Sequence, residues 1–400
     1  MRRHSRYCCF YFILFSFNFF LIRKFALEHN FGHNFMDVDL NQSTLIKKDI
    51  TEQKLKRLYF EQNVFDVSTG DQHEAQSKKI IMFYNLPQYM NNFLKTNLYY
   101  KNCDYKNCMF TKDAEYVNSA DALIFYIGIR NKRMGVKPPL TEQQRNPNQI
   151  WIFTSNEPPE HYYNTDYLLS SWKNTFNWSM LYRLDSDIPN PYGCLLLQTY
   201  ESKQNYDLIY QSKDKNALWI VSHCHVSSER RLYVNDMINY GFDVDIYGGC
   251  SSDGLKISKN ELELLIPRYK FFLAFENSIC KDYISEKFFQ NYNHSWIILV
   301  RGGADYHKLL PKETFINTAD FLNVSSLVQY LIKVSNDREI YESYLRKKDR
   351  FISLRWPRNR NCEICRRLNN LNRFKKTYDN VGQFLNLEQC RRAADLKFIK

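Results

Sequence analysis

From Lys78 onward the chain alternates short apolar runs with polar stretches of helical character. KKIIMFYNL, ADALIFYIGI and QIWIFTSNEPPE read as three strands, with loop or helical sequence between them. A second series follows: LIYQSKDKNALWIVSHCHV, the helix-like ERRLYVNDMINYGF, the strand VDIYGG, the helix-like NELELLIPRY, then the strands FFLAF and SWIILVRGG. Strands alternating with helical segments predict α/β architecture, with parallel sheets and right-handed crossovers. Two such units meeting near residues 195–215 place ligands in a cleft between the carboxyl edges of their strands. The alternative from pattern alone is one long doubly wound sheet. The expected divisions are a first domain at 78–205, a second at 206–345 and a C-terminal tail at 346–400 that packs back on the first. No GxGxxG fingerprint is present, which disfavours NAD or FAD.

The pattern before Lys78 differs. Arg2, Arg3, His4 and Arg6 make a short basic tail at residues 1–6, an apolar stretch fills residues 7–22, and Arg23-Lys24 closes it. No small-residue cleavage site follows, so the reading is an uncleaved signal-anchor with a cytosolic N-terminus and a lumenal remainder. Residues 23–77 are polar, rich in Asn, Gln, Asp and Lys, and read as a stem. A lumenal location fits sequons at Asn41, Asn177, Asn293 and Asn323. It also fits eleven cysteines, a number that suggests disulfides. Cys8 and Cys9 lie in the anchor. Cys103/Cys108 and Cys362/Cys365 are close pairs at opposite ends of the folded region and suggest that the tail is stapled to the first domain. The competing reading, a four-cysteine zinc site, is disfavoured by the first pair's spacing and by the oxidising compartment. Nine cysteines remain after the anchor, so at least one stays outside intrachain pairs. The formal charge of +12 invites a nucleic-acid reading. Its lysines and arginines are dispersed, however, and a basic enzyme handling an anionic nucleotide explains the sign equally well.

The most informative stretch is residues 271–289, FFLAFENSICKDYISEKFF. An apolar run stops abruptly at Glu276-Asn277-Ser278, and a short loop leads to Asp282-Tyr283 and Glu286-Lys287. The carboxyl end of a buried parallel strand opens on the ligand crevice of an α/β sheet. Carboxylate and amide groups there suit ribose hydroxyls, and a lysine suits phosphate.

This string resembles the donor-site signature of the α-1,3-fucosyltransferases. The likeness extends in family order through NCMFTKDAEYVNSADALIF, SNEPPEHY, FNWSMLYRLDSDIPNPYG, VSHCHVSSERRLYVNDM, VDIYGGC, FENSICKDYISEK, VRGGADYHKLLPKETFINTADF and CEIC. It implies a GT-B fold, two Rossmann-like domains around a cleft. It further implies a type II Golgi membrane enzyme that moves L-fucose from GDP-fucose to GlcNAc with inversion. Partners would then be GDP-fucose, a glycan or glycoprotein acceptor and the Golgi membrane, with no nucleic acid.

The same likeness suggests roles. Lys287 and Arg230 are the cations for the pyrophosphate, where charge builds as the fucosyl C1–O bond breaks. Arg230 is preferred to Arg231 because it lies eight residues after Ser222. Glu286 and Asn277 are candidates for ribose hydroxyls, Tyr283 for lining the fucose or diphosphate pocket, and Tyr247 for the donor site. Glu276 is either a donor contact or a clasp on loop N–H groups. Glu157, followed by two prolines, is the expected base for the acceptor hydroxyl. Asp185-Ser186-Asp187 has the form of a metal-binding DxD but lies in a first-domain segment of the likeness. No metal ligand and no required cofactor are therefore expected, with a divalent cation at most stimulatory. Ser285 replaces the usual Thr, SWIILVRGG lacks the usual Pro, and Tyr126 stands where His is usual on the acceptor side. The acceptor, chitobiose core or outer antenna, stays open. Two other readings are the same fold with another sugar nucleotide, and an inactive Golgi glycan-binding or scaffold protein.

Overall fold

The apolar runs become strands whose side chains alternate between two separate cores. In the computed structural model β1 (Lys79–Phe83), β2 (Cys108–Thr111), β3 (Ala122–Tyr126), β4 (Ile150–Ser155) and β5 (Trp178–Leu181) form one parallel sheet ordered β2-β1-β3-β4-β5. Leu123, Phe125, Trp151 and Phe153 pack on one face, while Ala122, Ile124, Ile150 and Ile152 pack on the other. A parallel sheet covered on both faces needs this near-continuous hydrophobicity, because neither side of the strand meets water. The model describes residues 77–85, 87, 103–128, 134–162, 165–198, 202–355, 360–385 and 389–396, all within one compact unit, Lys56–Lys400.

Strand β6 (Gly193–Leu197) leaves the first sheet, and the second is then built from β7 (Lys215–Ile220), β8 (Val244–Tyr247), β9 (Tyr269–Phe275), β11 (Ile297–Arg301) and β12 (Phe315–Asn317). The short β10 (Ile279–Cys280) stands apart from it. The order is β8-β7-β9-β11-β12, all parallel, so both sheets share one topology. Alternation again divides the cores: Phe271, Leu273, Phe275, Ile297 and Leu299 on one face, Phe272, Ala274, Ile298 and Val300 on the other. The two parallel sheets correspond to the expected GT-B type of architecture, and the single long sheet is excluded.

Two boundaries differ from the sequence reading. β6 pairs antiparallel with β13 (Phe351–Arg355), and Leu195 belongs to a second-sheet core. The handover therefore precedes residue 205. The C-terminal segment also does more than return to the first sheet. Ile364 and Leu368 pack on one of its faces, and Val381 and Leu385 on the other. The chain then crosses to the second half, where β14 (Cys390–Arg391) pairs with β10 and Ala393 and Leu396 enter the core.

Disulfides follow this path. Cys103 bonds Cys362 and Cys108 bonds Cys365, tying the tail helix Arg360–Asn369 to the first sheet. Cys224–Cys250 joins the loops after β7 and β8, and Cys280–Cys390 joins β10 to β14. Cys194, buried in β6, lies outside these four. The sequon at Asn177 is closed by folding: the residue is 8% exposed, accepts from Trp151 N and donates to Lys376 O. Asn293 is exposed, with its amide clasping Ser353, and Asn323 caps the helix Val324–Asn336. Asn41 and the anchor at residues 7–22 lie outside the described residues. Among those that are described, no helix is long and apolar enough to cross a membrane.

Replacing Cys103 and Cys362 together by serine removes a cross-link that closes a very long loop. The expected loss is about 2–5 kcal/mol of unfolding free energy, read from urea melts. Non-reducing peptide mapping should recover the peptides around Cys103 and Cys362 linked; each close pair closed only on itself would contradict this arrangement.

Candidate active site

In a sheet of this order the crevice opens where strands on either side of the switch lead off in opposite directions, here between β7 and β9. Arg230 spans that point. Its Nη1 donates to Phe275 O at the end of β9 (2.7 Å), and its Nη2 donates to His223 O after β7 (3.0 Å). It begins the helix Arg230–Asn239 and is 3% exposed. Burial pulls its pKa below the ordinary arginine value against the opposing pull of Glu276 and Tyr283. The sequence reading made Arg230 a phosphate ligand. The structure shows it first as a brace, with both terminal nitrogens committed to carbonyls. Its buried Nε has no hydrogen-bond partner, and neither does the buried Oδ1 of Asn277, two residues beyond Phe275. Buried polar atoms are rarely left unsatisfied, and these two can serve a donor and an acceptor group on a ligand. Arg231 instead donates to Cys250 O.

The loop after β9 is shaped by Glu276. This carboxylate is 1% exposed, accepts from Ser285 N and Ser285 Oγ (2.7 Å each) and pairs with Lys287 at 3.5 Å. Burial pushes its pKa up, with Lys287 and Ser285 opposing. Of the two roles left open for Glu276, the loop clasp is the one observed. Ser285, the replacement for Thr, keeps the hydroxyl in use by Glu276 and by Lys287 Nζ (2.9 Å). Burial works against the Lys287 charge, but Glu276 and Glu286 outweigh it and hold the ammonium's pKa above the usual value. Glu286 reaches the same ammonium at 3.1 Å and leaves much of its side chain exposed. Gly303 backs the loop so closely that a Cβ there would lie 2.5 Å from Cys280 N. Arg301 completes the floor, donating to Ser228 O (2.6 Å) and making two bonds of 2.7 Å to Asp395. Tyr247 ends the edge strand β8 and packs against the second-sheet core.

The first sheet meets this loop through the turn after β4. Glu157 N donates to Ser155 Oγ (3.2 Å), Pro158-Pro159 follow, and a single 3-10 turn covers Pro159–His161. Asn156 N donates to the hydroxyl of Tyr126, so the residue standing in place of His props this turn. Three contacts cross to the donor side: Tyr283 Oη donates to Glu157 Oε2 (3.3 Å), Ser227 Oγ donates to Glu160, and His161 Nε2 meets Ser278 Oγ (2.9 Å). Burial lowers the His161 pKa, while Glu157 and Glu160 pull it back. Asp282, at φ +58°, accepts from Leu184 N (3.3 Å), and Lys281 pairs with Asp185.

The structure thus gathers Glu157, Tyr283, Asn277, Glu276, Glu286, Lys287 and Arg230 along one seam. The Asp185-Ser186-Asp187 carboxylates have partners within the chain: Asp185 takes Arg183 and Lys281, and Asp187 takes Ser179, Tyr378 and Lys376. Sequence reasoning missed His161, Ser227, Ser278 and the Arg301–Asp395 pair. His161 lay within SNEPPEHY and was legible there, whereas nothing local marks Asp395 as a site residue.

Two family descriptions match: "Fucosyltransferase, N-terminal" over residues 76–193 and "Glycosyltransferase family 10 (fucosyltransferase) C-term" over residues 210–384. Alpha-(1,3)-fucosyltransferase C of Drosophila melanogaster is 34% identical over 56% of this chain and 56% of its own length. Alpha-(1,3)-fucosyltransferase fut-6 of Caenorhabditis elegans is 26% identical over 80% of this chain and 84% of its own. The 4-galactosyl-N-acetylglucosaminide 3-alpha-L-fucosyltransferase FUT5 of Hylobates lar is 30% identical over 67% and 70%. A crystal structure described as alpha1,3-fucosyltransferase with GDP-fucose aligns at a TM-score of 0.44 and 16% identity, over 69% of this chain and 84% of that chain. With matches to both halves and a relative at this identity and coverage, the chain belongs to glycosyltransferase family 10, the fucosyltransferases.

Proposed function

We propose that this protein transfers L-fucose from GDP-fucose, with inversion, to a GlcNAc hydroxyl of N-glycans or related glycans. One observation carries the reading: Glu157 of the first half meets Tyr283 of the loop that ends in Glu286-Lys287. A carboxylate of the first half is thereby set against the loop that carries the Lys287 ammonium. In the proposed reaction the Lys287 ammonium and the Arg230 Nε face the diphosphate. Stabilising charge that grows on the leaving group lowers the barrier more than it tightens ground-state binding. Asn277 Oδ1 and Glu286 accept from ribose hydroxyls. Glu157 takes the acceptor O–H proton as the new bond to C1 forms and the C1–O bond to the diphosphate breaks. These cations do the electrostatic work that a divalent ion does elsewhere, so no metal is required in this reading. The enzyme is proposed to be a type II Golgi membrane protein, a placement supported by the flanked apolar stretch at residues 7–22 and the available sequons.

Lys287→Ala should weaken GDP binding and slow transfer, on the order of tenfold to a hundredfold, because a charge-assisted hydrogen bond is lost. Wild-type kinetics in that variant would remove Lys287 from the donor site.

Glu157→Gln keeps the shape of the side chain but cannot accept a proton. Turnover with GDP-fucose and a GlcNAc-containing acceptor should fall roughly a hundredfold or more, with GDP-fucose affinity nearly unchanged. A folded Glu157→Gln enzyme with near-normal turnover would refute the base assignment.

A C-terminal tag on the full chain should resist protease in intact microsomes and become sensitive only with detergent. Digestion without detergent would overturn the type II topology.

A further inference from the structure

Tyr283 presents two faces to two different tasks. Its ring is 1% exposed, packed between Tyr182 (centroids 4.9 Å apart) and Tyr192 (6.1 Å). Its hydroxyl, which Tyr192 also meets, donates to Glu157 Oε2 at 3.3 Å, the one hydrogen bond to this carboxylate among the described residues. Burial, then Tyr192 and the carboxylates of Glu276, Glu157 and Glu286, drive the phenol's pKa well above the usual value. The hydroxyl therefore keeps its proton and acts as a donor throughout the physiological range.

The group is also held from behind. Tyr283 N donates to Cys280 O, Cys280 is bonded to Cys390, and Asp282 accepts from Leu184 N. Glu157 is held on its backbone side: among the described residues its N–H donates to Ser155 Oγ and its carbonyl accepts from the same hydroxyl. A carboxylate facing a fixed donor takes the orientation that the donor imposes.

We infer that the Tyr283 hydroxyl is the positioning group for Glu157, holding Oε2 so that Oε1 is left to receive the acceptor proton. The inference rests on the reading of Glu157 as base. Tyr283 keeps its own proton through the step: the acceptor proton passes to Glu157, the acceptor oxygen bonds C1, and the electron pair of the C1–O bond leaves with the diphosphate.

The test compares Tyr283→Phe in the wild-type and Glu157→Gln backgrounds, with GDP-fucose and a GlcNAc-containing acceptor. The phenylalanine enzyme should lose about fivefold to thirtyfold in kcat, with the KM for GDP-fucose within about twofold. In the Glu157→Gln background the same change should cost no more than about twofold, since coupled groups are not additive. Replacement of Tyr283 by 3-fluorotyrosine, which retains the hydroxyl, should restore kcat to within about threefold of wild type. A raised GDP-fucose KM at unchanged kcat would place the hydroxyl on the donor and overturn the inference. A loss that persists undiminished in the Glu157→Gln background, or a fluorotyrosine enzyme as impaired as the phenylalanine one, would overturn it too. Wild-type turnover by Glu157→Gln alone would instead overturn the base assignment beneath it.

Discussion

The buried carboxylate of Glu276 is the constraint around which the donor loop is arranged. A charge removed from water costs several kcal/mol unless it is paired and its lone pairs are filled. Here Ser285 fills two acceptor positions with its N–H and hydroxyl, and Lys287 supplies the counter-charge. The chain after β9 must therefore turn back within a few residues and start a helix beside its own strand end. That return sets Asp282 in the left-handed region, leaves room behind it only for Gly303, and carries Tyr283 out toward the first sheet. Lys287, held charged by two carboxylates, is the cation that this geometry presents at the crevice.

The second organising element is the path of the C-terminal segment. It covers both faces of the first sheet, is cross-linked there twice, and ends as a strand bonded to β10. Asp395 then neutralises Arg301, whose other nitrogen supports the Ser228 carbonyl under the switch point. The floor of the candidate site thus depends on residues more than ninety positions away in the chain. Long-range ties of this kind restrict the unfolded chain as well as fastening the folded one.

Charge at the site is balanced within the protein itself. Arg183 and Lys281 occupy Asp185, and Lys376 occupies Asp187. The Asp185-Ser186-Asp187 carboxylates therefore help join the first sheet to the donor loop and to the tail. Spacing alone does not reveal which cations lie nearby in space.

Much was legible before any coordinates. Continuous apolar runs marked strands of parallel sheets, since only strands buried on both faces need them, but their division into two sheets rather than one was left to the structure; the abrupt stop at Glu276 marked the carboxyl end where a ligand crevice opens. Glu157, Asn277, Tyr283 and Lys287 could be named because the motifs that hold them resemble those of the fucosyltransferases, and chain order places those motifs at strand ends. Other features were decided only by tertiary structure. Arg230 also acts as a brace because Phe275 and His223, distant in sequence, converge on it. The sequon at Asn177 was closed because Trp151 and Lys376 meet there. The tail's return to the second sheet, Asp395 under Arg301 and His161 against Ser278 are likewise pairings between distant segments. Local pattern records which face of a strand or helix is apolar; it does not record which remote polar group arrives to satisfy a buried one, and that was settled only when the two sheets and the tail packed together.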